Sequence, residues 1–202
     1  MESKKNTKQN IFEEAAKLFA KDGYNGVSMR QIAREVGIKE SSIYNHYKNK
    51  EEILSSLLDY FAETLTKYRP SEEEIEKMLN YMSVADVFKQ LIIGLGKTLN
   101  GTLDTIARII YTEQFRNEKA KKIMLDNLIK EPSEFAAKVL RIMLRKKLIR
   151  EIDIELIARE YNYALLAITF EYAHAVSTGQ DTSPIIKKMF EHVEFICNAI
   201  KY

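Results

Sequence analysis

An all-α fold is predicted for this 202-residue chain by three observations. Apolar residues recur at spacings of three and four over most of its length, and strand-like alternation is absent. Capping residues stand ahead of the apolar runs. Only seven glycines and three prolines occur to interrupt helices.

The elements follow in order. The first helix carries Ile11, Ala15 and Phe19 and ends near Gly23-Tyr24. Ser28 and Gln31 form an S-x-x-Q capping box at the start of the second. Ile32, Ala33 and Val36 give that helix an apolar stripe, and Gly37 stops it, because glycine enters the left-handed conformation without strain. A third helix is expected from about 40 to 47, with Ile43 and Tyr47 facing inward. Two short helices joined by a glycine turn form a helix-turn-helix, whose second helix enters the DNA major groove. Asn49 with Glu52 caps a fourth helix through Ile53, Leu54, Leu57, Leu58, Phe61 and Leu65, unbroken until Pro70. Ser71 with Glu74 caps a fifth. A helix over 84–99 carries Val87, Phe88, Leu91, Ile92 and Leu95, and Asn100-Gly101 stops it. Asp104 is expected to cap a helix with Ile106, Ile109, Ile110 and Phe115. Residues 117–130 form another, and Pro132 fits the first turn of the next. Asp153 caps a long helix ending near Gly179, and Ser183-Pro184 caps the last. The expected total is about nine or ten helices.

The residues from 8 to 54 as a set resemble the DNA-binding domain of the TetR (tetracycline-repressor-type) family of bacterial regulators. Ile11, Ala15, Phe19, Gly23-Tyr24, Ser28, Ile32-Ala33, Val36-Gly37-Ile38, Ile43-Tyr44, His46-Tyr47 and Lys50-Glu51 with Leu54 carry the resemblance. Lys39 stands where a small hydroxyl residue is common, Ser41 where glycine is common, and Tyr47 in place of the usual Phe. The resemblance implies a three-helix DNA-binding domain over 1–50 and a helical effector-binding and dimerisation domain over 51–202. It further implies a cytoplasmic transcriptional regulator, a repressor that leaves a palindromic operator on binding a small, partly apolar effector. Partners would be double-stranded DNA, the effector and a second copy of the chain, with no membrane, cofactor, metal or catalytic residue. Two other classes stay open: an effector-independent DNA-binding dimer, and an all-α enzyme with a vestigial DNA-binding head.

Charge agrees with DNA at the N-terminal end. Residues 1–50 hold 10 Lys and Arg against 6 Asp and Glu, leaving 21 against 23 in the rest. A basic excess is what phosphate neutralisation requires. The single cysteine, Cys197, excludes an intrachain disulfide and a cysteine zinc site and suits a reducing compartment. The polar MESKKNTKQN start has no signal-peptide pattern, and no apolar run is long enough to span a bilayer.

On the second helix of the motif, Lys39, Glu40, Ser41, Ser42 and Asn45 occupy the start and outer face. Ser and Asn pair with base edges, and Lys reaches guanine or phosphate. The resemblance adds Tyr44 and Ser28 as phosphate contacts and His46 to the same surface. Lys50, in the first turn of the fourth helix, is expected on a phosphate. The alternative for each is a solvated or packed surface residue.

Elsewhere the motifs are weak. Gly94-Leu95-Gly96-Lys97-Thr98 resembles the tail of a phosphate-binding loop, but Leu91 stands where its first glycine belongs and no strand precedes it. His46, His174 and His192 lack ligand spacing. An effector pocket draws on Phe88, Ile92, Arg108, Tyr111, Phe115, Tyr163, Phe170 and His174, because apolar walls with a few polar anchors suit a small molecule. Gln114, Asn162 and Thr169 are further candidate anchors. Core packing is the competing explanation for each aromatic. The last two helices, about 154–178 and 184–200, carry Leu156, Ala164, Ile168, Ile185, Met189, Val193 and Ile196. They are expected to pair with their copies, with Ile168, Ile185, Met189, Val193 and Ile196 in the interface.

Overall fold

Caps and glycines place most of the helix ends in the computed structural model, which describes residues 7–99 and 101–202. Helix α1 (Thr7–Asp22) stops where Gly23 takes φ 74°. Helix α2 (Met29–Val36) starts from the Ser28–Gln31 box and closes at Gly37, φ 76° and ψ 30°. Helix α3 (Glu40–Ile43) is shorter than the expected 40–47. Beyond it the chain tightens: Asn45 N donates to Ser42 O at 3.3 Å and His46 N to Ile43 O at 3.0 Å. Asn45 is a poor interior helix residue, since its amide competes for backbone groups. Ile43 and Tyr47 are nonetheless both buried, as expected.

Helix α4 (Lys50–Tyr68) follows Asn49, whose Oδ1 accepts from Glu52 N at 2.8 Å. Helix α5 (Glu72–Leu79) has the full Ser71–Glu74 box, and α6 (Val84–Thr98) contains the Gly94–Thr98 segment. A Cβ added at Gly94 would collide with the Tyr68 hydroxyl, so close packing, rather than phosphate binding, accounts for this glycine. Helix α7 (Thr102–Glu113) starts at Gly101; Asp104 lies inside its first turn and pairs with Arg108 at 3.8 Å instead of capping. Asn100, half of the expected stop, lies outside the described residues.

The expected helix over 117–130 is divided. Asn117 caps α8 (Glu118–Ile123), and a π-helical segment (Met124–Lys130) follows. The Ile129 carbonyl there accepts from the side chains of Asn162, at 3.0 Å, and Ser133, at 2.9 Å. Helix α9 (Glu131–Arg145) carries Pro132 in its first turn. Helix α10 (Ile154–Ser177) begins at Asp153, whose Oδ1 accepts from Leu156 N at 3.0 Å. Helix α11 (Ser183–Ile200) has Thr182 at its cap position, one residue before the expected Ser183.

The chain forms two compact units. The first contains the chain to Lys67 together with Leu99–Met124. There α1 packs on α2 and α7, and α2 packs on α3. Ile11, Phe19, Ile32, Ile43, Ile53, Leu57, Leu58, Phe61, Ile106 and Ile110 are all buried. The second contains Tyr68–Thr98 and Leu125–Tyr202. Its core joins Val87, Phe88, Val139, Leu140, Met143, Tyr161, Val193 and Ile196. Each large apolar side chain so buried contributes roughly 1.5–3 kcal/mol. The packing boundaries fall after Lys67, Thr98 and Met124, not at the expected residue 50. Among the described residues no helix is long and apolar enough to cross a membrane, and no group of His, Cys, Asp or Glu is placed to hold a metal.

Candidate nucleic-acid interface

Local bonds hold the helix-turn-helix. Gln31 N donates to Ser28 Oγ at 3.2 Å, and Ser28 N donates to Gln31 Oε1 at 2.9 Å. At the turn, Gly37 N donates to Arg34 O and Ile38 N to Ala33 O, at 3.1 and 2.9 Å. With Ile32, Ala33, Ile43 and Tyr47 buried beneath, α3 has one fixed outer face. Glu40 and Ser41 are exposed on it, Lys39 is exposed at its cap, Tyr44 and Asn45 are exposed in the turn that follows it, Ser28 is exposed at the α2 cap, and Ser42 and His46 are half-buried.

A shallow cavity beside this face is lined by Ser28, Arg30, Gln31, Ala33, Arg34, Ile38 and Glu40. Arg30 and Arg34 were missing from the sequence-based set. They are exposed cations four residues apart, hence on one side of α2, and that spacing was the available signal. Arg34 contacts its neighbour Glu35 at 3.4 Å.

Lys50 departs from expectation. Its ammonium donates to the carbonyls of Tyr24 and Val27, each at 2.7 Å, and lies 4.2 Å from the Tyr24 ring centroid. Those carbonyls outcompete solvent for a half-buried ammonium, so Lys50 is engaged inside its own unit. Tyr24 is held further by its hydroxyl, which donates to Glu51 at 2.8 Å, and by its N–H, which donates to buried Glu113 at 3.2 Å. Burial, then the hydrogen bond to Glu51, holds the Tyr24 phenol protonated well above its usual range.

The eight residues expected to line an effector pocket are divided between the two units. Arg108, Tyr111 and Phe115 belong to the first unit, and Phe88, Ile92, Tyr163, Phe170 and His174 to the second. Phe115 is 88% exposed, because it falls in the turn after α7 rather than on the helix. Tyr163, Phe170 and His174 are exposed along α10, while Phe88 is a core residue packed 4.8 Å from the Tyr161 ring. Tyr111 and Arg108 remain partly covered on α7, where burial pushes the Tyr111 phenol up to about 12.

Three of the five residues expected in the dimer interface are covered within their own unit. Met189, Val193 and Ile196 are buried in the core of their own unit, leaving nothing for a partner to cover. Ile168 and Ile185 are half-buried. The exposed large apolar residues of these helices are Leu156, Tyr163, Phe170 and Val176 on α10 and Ile186 and Phe195 on α11.

Comparison with known proteins agrees with this geometry. Residues 11–57 match the family model described as bacterial regulatory proteins, tetR family. Over 79 residues, 37% of this chain, the sequence is 32% identical to the biofilm operon icaADBC HTH-type negative transcriptional regulator IcaR of Staphylococcus epidermidis. The chain spans 43–64% of the length of the curated relatives it matches. Among solved structures, the ketosteroid transcriptional regulator KstR2 of Mycobacterium tuberculosis shares the fold. Its TM-score is 0.66 at 18% identity, over 99% of this chain and 97% of that one. A candidate fatty acid metabolism regulator of Clostridium perfringens has a TM-score of 0.58 at 26% identity, over 91% and 96%.

Proposed function

We propose that this chain, which belongs to the TetR family of bacterial regulatory proteins, is a cytoplasmic DNA-binding repressor that acts as a homodimer on a palindromic operator. The observation that carries the reading is the exposed polar set Lys39, Glu40, Ser41, Tyr44 and Asn45 above a buried Ile43 and Tyr47. The first 50 residues read DNA, and 51–202 sense and dimerise. Asn45 and Ser41 meet base edges, while Ser28, Lys39, Tyr44, Arg30 and Arg34 meet phosphates. The name of the staphylococcal relative, a negative transcriptional regulator, supports repression.

Dimerisation uses the outward stripe of α10 and α11, including Tyr163, Phe170 and Phe195. Apolar side chains recurring on one exposed face of a long helix favour burial against a two-fold copy. A small, partly apolar effector releases the operator; kinship to a candidate fatty acid metabolism regulator supports that chemical class. The experiment is selection from a random pool of DNA duplexes with the full chain. An inverted repeat with half-sites about 34–36 Å apart is expected. Recovery of no symmetric sequence would overturn the reading.

A further inference from the structure

We infer that the corner between α7 and α8 is a polar bracket that sets the geometry of the reading head, with Glu113 and Lys119 as its positioning residues. The inference rests on the DNA-binding reading and adds to it residues far from the helix-turn-helix in sequence. Glu113 ends α7 and is only 4% exposed. A carboxylate there is disfavoured twice: it is stripped of water, and it meets the negative end of the helix dipole. Its side chain accepts the Tyr24 N–H at 3.2 Å, from 89 residues earlier in the chain. Tyr24 stands just past the end of α1, and its N–H needs the acceptor that Glu113 supplies. The link from Tyr24 to the Ser28 cap is tightly folded. A Cβ added at Gly26 would stand 2.5 Å from the Asp22 carbonyl oxygen, and Val27 is buried. Holding Tyr24 therefore holds Ser28, and with it the start of α2.

The same corner holds α4. Asn117, the cap of α8, donates from Nδ2 to Glu51 Oε1 at 3.4 Å. The Lys119 ammonium donates to Ser55 Oγ and Ser55 O at 2.6 and 3.2 Å, and pairs with Asp59 at 2.6 Å. An ammonium has three donors, and these contacts occupy them. Glu51, Ser55 and Asp59 stand four residues apart, on one face of α4. Residues 99–124 accordingly pack in one unit with the helix-turn-helix, although α5 and α6 intervene in the chain. Loosening either hold would leave the motif folded but let it tilt. Operator recognition, which needs its base contacts in register, would then fall further than charge-driven binding to any duplex.

The test compares the full chain with Glu113→Leu, Glu113→Gln and Lys119→Met. Affinity is measured for the selected duplex and for a scrambled one, and amide hydrogen exchange over 24–28 is followed without DNA. Glu113→Leu fills the site but removes the acceptor. It is expected to speed that exchange and to weaken operator binding on the order of tenfold, the loss of one hydrogen bond to a charged group. Binding to the scrambled duplex should stay within about twofold of the parent. Glu113→Gln keeps a carbonyl oxygen for the Tyr24 N–H and is expected to restore both readouts. Lys119→Met is expected to weaken operator binding about threefold; its half-exposed site tolerates the change should Glu113→Leu impair folding. Operator affinity unchanged in both Glu113→Leu and Lys119→Met, an equal loss on the two duplexes, or a glutamine variant as weak as the leucine one would overturn the bracket. A parent chain that prefers neither duplex would sink the DNA-binding reading itself, while the exchange measurement still decides the bracket.

Discussion

Asn45 and Lys50 lie five residues apart and face opposite surroundings: one exposed above the buried Ile43, the other bound to two carbonyls of its own chain. Asn45→Ala should relax preference at one base position by about 1–3 kcal/mol, measured with operators varied one base pair at a time. Cys197 gives a second residue-level expectation. Burial, with Glu194 adding to it, pushes the thiol from 9.0 up to about 12. The thiol should resist alkylation at neutral pH until the chain unfolds. Its folded pKa is raised, so its contribution to stability is present below about pH 9 and lost as pH rises towards 12. Denaturant midpoints of the parent and Cys197→Ser across that range would show this. The Ser28–Gln31 box and the Gly37 stop were legible in the sequence because their bonds close within a few residues. The partners of Lys50 were not, because they lie 26 and 23 residues earlier and nothing in local spacing pairs them.

At the scale of elements, periodicity identified helices but not which side of each is covered. Helix α11 has its apolar stripe where the spacing of Met189, Val193 and Ile196 puts it, yet that stripe faces its own core. Phe195, 70% exposed, sits outside the periodic set. Phe170→Glu or Phe195→Glu should yield monomers that remain folded, by sedimentation and melting. Val193→Glu should instead lose the fold, because it places a charge in a fully buried position. Helix α4 is unbroken from Lys50 to Tyr68, and Leu58 and Phe61 are fully buried in it. Glycine at either would empty the core, so exposed Glu63 is the better place to loosen the helix. Glu63→Gly should cost about 1 kcal/mol. If α4 carries the signal between sensing and reading, the same variant should reduce effector release of DNA more than it reduces effector binding. Titrations with and without operator read this coupling, which linkage makes reciprocal.

For the whole molecule, the all-α class and the helix-turn-helix at the N-terminal end were legible because helix caps and a short motif are local features. The lining of the proposed effector pocket was not, because aromatics at helical spacing serve a core as well as a pocket; Phe88 went to the core and Phe115 to solvent. The central claim is that two copies of this chain read one symmetric DNA site. The most direct measurement is sedimentation equilibrium of the full chain with three duplexes: the selected inverted repeat, one half-site, and a scrambled sequence of equal length. Two chains per inverted repeat are predicted, with affinity at least ~10³-fold above the scrambled duplex at physiological salt. One chain per repeat, or equal affinity for all three duplexes, would contradict the account.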